Sequence, residues 1–175
     1  YSGNIQHAGK TLQTVINDIL DYSKIESGKL DIIDADYSFK ELFDEICTDI
    51  AFRCETKGLS FEATADSHIP AYLKGDDVRI RQCMLNVLSN AVKYTEQGTV
   101  FFKASYDGLD ENNMHKLSFE IKDTGKGISK EAIPKLFTAF QRVDEDHNRG
   151  IEGTGLGLAI TKSLLDEMNG NIEVE

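Results

Sequence analysis

The stretch Leu85-Asn-Val-Leu-Ser-Asn-Ala-Val-Lys-Tyr-Thr95 decides how the rest of the chain is read. It lies within residues 76–95, where Ile80, Met84, Leu85, Val87, Leu88, Ala91 and Val92 recur with a helical period and must face a sheet. At 100° per residue, Asn86, Asn90 and Lys93 fall within about 60° of one another, and Arg79 and Gln82 extend the same polar stripe. Asn is a middling helix former, so two of them a turn apart beside a Lys call for a reason. An ordinary solvated face is one. The other is chemical: an amide oxygen ligating a hard cation, with a Lys point charge beside a phosphate.

Moving outward from that helix, which Asp76 and Asp77 open, the spacing predicts alternating element types. On the N-terminal side, Phe39–Cys54 carries a 3.6-residue apolar period ended by Gly58, and Leu59–Ala65 alternates as a strand. Residues 4–26 read as a further long helix. Ile5, Leu12 and Ile19 repeat every seven residues, as do Ala8, Val15 and Tyr22, while Ile16, Leu20 and Ile25 widen the stripe. Such a stripe wants another helix over it, in a bundle or a dimer. On the C-terminal side, strands are expected over Thr99–Tyr106 and Lys116–Lys122, then a glycine-bearing turn at 123–127 and a short helix at 130–140. A polar segment, 141–155, leads to a helix at 156–168 and a clipped strand, Asn171–Glu175. Helices over a mostly antiparallel sheet make an α+β sandwich of two layers.

Composition sets the outer bounds. The chain has 175 residues, long enough to bury roughly 70% of its unfolded surface in one compact body. Thirty Asp and Glu against 19 Lys and Arg give a net charge of −11, which argues against a nucleic-acid partner needing a basic stripe. No apolar run approaches the ~18 residues of a membrane span. Cys47, Cys54 and Cys83 form no CxxC pair and read as small buried hydrophobes, and the four His lack metal-ligand spacing.

Two glycine-bearing motifs complete the picture. Asp123-Thr-Gly-Lys-Gly-Ile128 follows a strand directly. Its glycines permit close approach of backbone to a flat ligand, and the Asp123 carboxylate can accept from an exocyclic amine such as that of adenine. Taken alone it is equally a turn before a helix. Gly153-Thr-Gly-Leu-Gly-Leu158 runs straight into an amphipathic helix, where free backbone N–H groups attract anions. It matches neither GxxxxGK[ST] nor GxGxxG. The order and context of the three motifs together make coincidence improbable.

In that order they resemble the sequence boxes of sensor histidine kinases. Leu85–Thr95 is similar to the asparagine box, Asp123-Thr-Gly-Lys-Gly127 to the first glycine box, Leu136-Phe-Thr-Ala-Phe140 to the phenylalanine box, and Gly153-Thr-Gly-Leu-Gly157 to the second glycine box. Asn17–Lys29 resembles the end of the second dimerisation helix, with a linker in the style of hybrid kinases. The resemblance implies a Bergerat-type ATP-binding fold over 31–175, lacking its last strand, preceded by part of a dimerisation hairpin at 1–30. By position, Asn90 would ligate Mg²⁺, with Asn86 close to metal and phosphates. Lys93 would neutralise phosphate charge, so that Asn86 and Lys93 serve the chemistry. Tyr94 would lie against adenine and Asp123 accept its amine, with Gly125, Gly127 and Ile128 shaping that wall. Gly153, Thr154, Gly155, Leu156, Gly157 and Leu158 would meet the phosphates, as would Arg142, within a mobile ATP lid at 141–155.

The implied reaction moves the γ-phosphoryl of ATP to a histidine. Hydrolytic ATPases of the same fold place a Glu where Asn86 stands. Asn cannot act as a base, so slow hydrolysis is expected. The family's acceptor His is followed by an acidic residue and then a Pro. Only Pro70 and Pro134 occur here, and His7 is followed by Ala8-Gly9, so no acceptor is expected in this chain. A homodimer in the full protein, a response-regulator receiver as partner, and a cytoplasmic location with any membrane anchor upstream are implied too. A hydrolytic ATPase of this fold, or a nucleotide-binding module acting through protein contacts, are the alternatives.

Overall fold

The computed structural model describes residues 2–141 and 154–175, with the backbone alone described at 2–8, 10 and 11. The chain forms two compact units, Ile33–Gly127 and Tyr1–Ile32 with Ile128–Glu175.

In the first of these, the elements run β1 (Ala35–Ser38), α1 (Phe39–Lys57), β2 (Ser60–Ala65), β3 (Tyr72–Gly75), α2 (Asp77–Tyr94), β4 (Thr99–Leu109) and β5 (His115–Asp123). The sheet has the order β2-β4-β5, parallel between β2 and β4 and antiparallel between β4 and β5; β1 and β3 form a separate antiparallel pair. Helix α1 presents Phe39, Leu42, Ile46, Ile50 and Cys54 inward at helical spacing, and α2 presents Cys83, Met84, Leu88, Ala91 and Val92. Strand β4 answers with alternate residues, Val100, Phe102 and Ala104, all essentially inaccessible. Phe102 is the largest fully buried side chain and stacks with Phe43 at 5.1 Å and Phe119 at 6.2 Å between ring centroids. These helices and this sheet form the expected two layers.

Both helices stop and start where the chemistry allows. The Ser38 hydroxyl accepts from Glu41 N–H at the start of α1. Gly58, at φ +75°, ends it with its own N–H on the Glu55 carbonyl. The Asp76 carboxylate caps α2, accepting from Arg79 N–H at 3.0 Å, and its second oxygen accepts from Ile33 N–H at 2.9 Å.

The other unit contains α0, the long helix Ser2–Glu26, a single 3₁₀ turn at Ile133–Lys135, and α3 (Gly157–Glu167). Leu12, Ile16, Ile19 and Leu20 of α0 are exposed, whereas Val15, Asp18, Asp21, Tyr22 and Ile25 are half-buried at helical spacing. No described helix is long and apolar enough to cross a membrane.

Several expectations need correction. The helix expected at 130–140 is a run of i→i+3 turns, with Lys135 N–H on Ala132 O, Leu136 N–H on Ile133 O and Thr138 N–H on Lys135 O. Pro134 contributes no N–H and disfavours α geometry in the residue before it, so the tighter winding prevails. Residues 171–175 form no strand, having no hydrogen-bonded partner strand among the described residues. The β1–β3 pair was not expected at all. Of the lid expected at 141–155, residues 142–153 lie outside the described residues.

Candidate functional site

The most closely built part of the candidate site is the corner where α2 ends and β5 turns. Thr95, fully buried, terminates α2 by giving its N–H to the Ala91 carbonyl at 3.1 Å and its hydroxyl to the same oxygen at 2.8 Å. That hydroxyl oxygen also lies 3.4 Å from Asp123 Oδ1. Asp123, at the last position of β5, accepts the Gly125 N–H through Oδ1 at 2.8 Å, closing the turn as an Asx motif. Both contacts fall on one oxygen of the carboxylate. The geometry therefore fixes the orientation of the group while Oδ2 takes no part in holding the turn.

Gly125 shows how tight the corner is. A methyl group there would stand 2.6 Å from the Tyr94 carbonyl oxygen, 2.7 Å from Asp123 Oδ1 and 3.2 Å from Thr95 Oγ1. Only hydrogen fits. Gly127 is required for a different reason: its φ is +71°, with open space around it. The turn is also pinned to the sheet, since Thr124 Oγ1 accepts from Thr99 N–H at 3.0 Å.

The polar stripe of α2 lies where the periodicity placed it. Asn86, Asn90 and Lys93 are half-buried, with Asn86 and Asn90 one turn apart, about 6 Å along the axis. The Lys93 ammonium sits 5.1 Å from the Tyr94 ring centroid and the Lys126 ammonium 5.7 Å from it. Two cations thus lie near one ring, in a chain that is strongly acidic overall. Among the described residues no cluster of His, Cys, Asp and Glu could hold a metal ion.

The second glycine motif belongs to the other unit. Gly155 has φ +72°, and its carbonyl accepts from Phe140 N–H at 3.1 Å. The Thr154 hydroxyl accepts from Leu156 N–H at 3.2 Å and donates to Asp18 Oδ2 of α0 at 2.9 Å. Burial raises the Asp18 carboxyl, the Thr154 hydrogen bond opposes that, and the nearby Asp21 charge adds to it. Phe140, itself at φ +62°, sets its ring edge-on to Tyr22 of α0 at 5.8 Å. Leu156 precedes α3 without a side-chain cap, and Gly157 and Leu158 start the helix. Ile128 is 47% exposed. Arg142 and Gly153 lie outside the described residues.

No thiol competes for a chemical role. Burial pushes Cys83 up to about 12 and Cys47 up to about 11, so both stay protonated at neutral pH. Lys57 and Asp18 were not singled out in the sequence, and Thr95 and Tyr22 were read there only as members of a motif and of the heptad stripe. Thr95 was visible as a hydroxyl at a helix end, a position where it can bond back to the last turn. Lys57, which donates to the carbonyls of Val92 and Lys93, had no such local sign.

Residues 75–175 match the family described as histidine kinase-, DNA gyrase B- and HSP90-like ATPase. The chain is 37% identical over 171 residues to hybrid signal transduction histidine kinase B of Dictyostelium discoideum, covering 98% of this chain and 9% of that protein. It is 37% identical over 176 residues to the sensor protein GacS of Pseudomonas syringae pv. syringae, covering 100% of this chain and 19% of that protein. The chain thus spans less than a quarter of the length of these curated relatives. The crystal structure of full-length ShkA in complex with AMPPNP superposes with a TM-score of 0.78 at 28% identity, over 97% of this chain and 34% of ShkA. With the family match covering the asparagine stripe, the Asp123 turn and the second glycine motif, the chain belongs to the histidine kinase-, DNA gyrase B- and HSP90-like ATPases, as an ATP-binding catalytic domain of the sensor histidine kinase type.

Proposed function

We infer that this domain binds ATP with Mg²⁺ and passes the γ-phosphoryl group to a histidine carried elsewhere in the full protein. The Asp123 corner carries the reading. Its carboxylate is oriented through Oδ1, and the space beside it is closed to any side chain at 125, which suits a flat base with an exocyclic amine. Tyr94 lies against that base. Asn90 offers its oxygen to Mg²⁺, with Asn86 beside metal and phosphates, while Lys93 offsets phosphate charge. Gly125, Gly127 and Ile128 shape the base wall; Arg142, Gly153, Thr154, Gly155, Leu156, Gly157 and Leu158 serve the phosphates.

Bound Mg²⁺ would draw charge from the phosphates. In the transfer, the bond from the γ-phosphorus to its bridging oxygen breaks as the acceptor imidazole nitrogen bonds to phosphorus, and ADP leaves. What this chain supplies is position and charge. Asn86 offers no base to a water molecule, which favours storing the phosphoryl group on histidine over hydrolysis.

Residues 1–30 are proposed as the end of a dimerisation hairpin and 31–175 as the catalytic domain. The exposed apolar stripe of α0 supports that division. The homodimer, the receiver-domain partner and a cytoplasmic site of action belong to the same proposal. Titration calorimetry with a non-hydrolysable ATP analogue, with and without Mg²⁺, tests it. Metal-sensitive binding is the expected result, and absence of binding would overturn it.

A further inference from the structure

We propose that Lys57 is a positioning residue for the base end of the nucleotide site, acting through the last turn of α2. The inference rests on the assignment of Asp123 to adenine. A helix leaves its final carbonyls without intrahelical partners. In α2 the Ala91 carbonyl is taken by Thr95, and the carbonyls of Val92 and Lys93 both accept from the single ammonium of Lys57, each at 2.8 Å. A lysine in the last turn of a helix commonly serves its own C-terminus. Here α1 is closed by backbone, with Gly58 N–H on Glu55 O and Leu59 N–H on Cys54 O, and the Lys57 side chain reaches the neighbouring helix.

Its two acceptors sit immediately before the residues that build the corner. The peptide groups held by Lys57 lead into Lys93 and Tyr94; the Tyr94 carbonyl stands over Gly125, and the hydroxyl of the next residue, Thr95, lies by Asp123. Three N–H donors on one flexible stem suit this double contact, and a positive charge at a helix C-terminus is electrostatically favourable. Deprived of the ammonium, both carbonyls must turn toward water and the last turn loosens. Asn86 and Asn90 are spared, because their own N–H groups bond to carbonyls a turn earlier in the helix. Lys57 therefore acts first on the base end and on Lys93, whose carbonyl it holds, and only weakly on Asn86 and Asn90.

The experiment compares wild type, K57M and K57R by calorimetry, using ADP with and without Mg²⁺ and inorganic tripolyphosphate as a base-free probe. For K57M, ADP affinity should fall about tenfold, the scale of one lost charged hydrogen bond. The ratio of affinities with and without Mg²⁺ should match wild type, and tripolyphosphate should lose clearly less affinity than ADP, its loss limited to the share that Lys93 contributes. K57R, which keeps a charged two-donor fork, should restore ADP binding. Wild-type ADP affinity in K57M would overturn the inference, as would equal losses for ADP and tripolyphosphate, which would mark a plain charge effect. Should K57M not fold, K57Q, one atom shorter than lysine, takes its place with the same expectations. Failure of the wild type to bind ADP would instead remove the adenine assignment beneath.

Discussion

The Asp123 corner and the second glycine motif, one in each unit, are built in opposite ways. The helix that carries Asn86, Asn90 and Lys93 is tied at both ends by side chains, Asp76 at its start and Thr95 with Lys57 at its finish. Its inner face is sealed by residues such as Leu88 and Cys83, both fully buried. The helix that follows the second glycine motif begins without a side-chain cap. The residues before it lean on α0 through one hydroxyl and one ring edge. The corner proposed to meet base and metal is therefore fixed by the core that folds its unit. Each of the two described contacts with α0 has a net worth of about 1 kcal/mol.

Breaking the well-tied corner should have the largest effect. Asp123→Asn replaces an acceptor oxygen by a donor and should lower ATP affinity about a hundredfold or more, read by calorimetry; retained affinity would remove the adenine assignment. Next comes Gly125→Ala. The new methyl meets a backbone carbonyl and a fixed carboxylate, so thermal unfolding should show a loss of about 1–3 kcal/mol, together with loss of nucleotide binding. An unchanged melting temperature would mean the corner is looser than its distances say. Asn90→Ala should leave metal-free affinity in place and abolish the Mg²⁺ dependence, a change of about tenfold at saturating metal.

The loosely tied motif should respond more weakly. Because burial raises the Asp18 carboxyl, its contribution to stability is fully present below the ordinary carboxylate range and is lost as pH rises through the raised pKa. Asp18→Asn keeps an acceptor for Thr154 without the charge. It should be slightly more stable than wild type at neutral pH, with the difference vanishing on acidification. Denaturant titrations across pH measure this, and a pH-independent difference would contradict the burial argument.

Legibility followed the range of the signal. The α2 stripe, the Gly58 stop and the alternation of β4 are local patterns, and all were readable. Ala35-Asp-Tyr-Ser38 has neither the length nor the alternation to announce a strand, and it exists because Tyr72–Gly75 pairs with it. Apolar residues at 133, 136 and 137 fit a 3₁₀ turn as well as an α-helix, and only Pro134 could have arbitrated. Ile172 and Val174 alternate as a strand should, yet among the described residues no strand pairs with them to make a ladder. Lys57 was invisible because its acceptors lie on another helix, brought near by packing alone.

The parallel pairing of β2 with β4 bears on the order of assembly. Ser60 must find Thr99, and the chain between the two strands carries β3 and the whole of α2. Antiparallel neighbours such as β4 and β5 can zip from a turn, but parallel ones must first close a long loop and lose its entropy. Contacts of such sequence separation form slowly. The helix bearing the polar stripe is thus enclosed in one of the two long connections of its unit, the other joining β1 to β3. Recovery of nucleotide binding after denaturation should track closure of that crossover, while helical signal returns earlier.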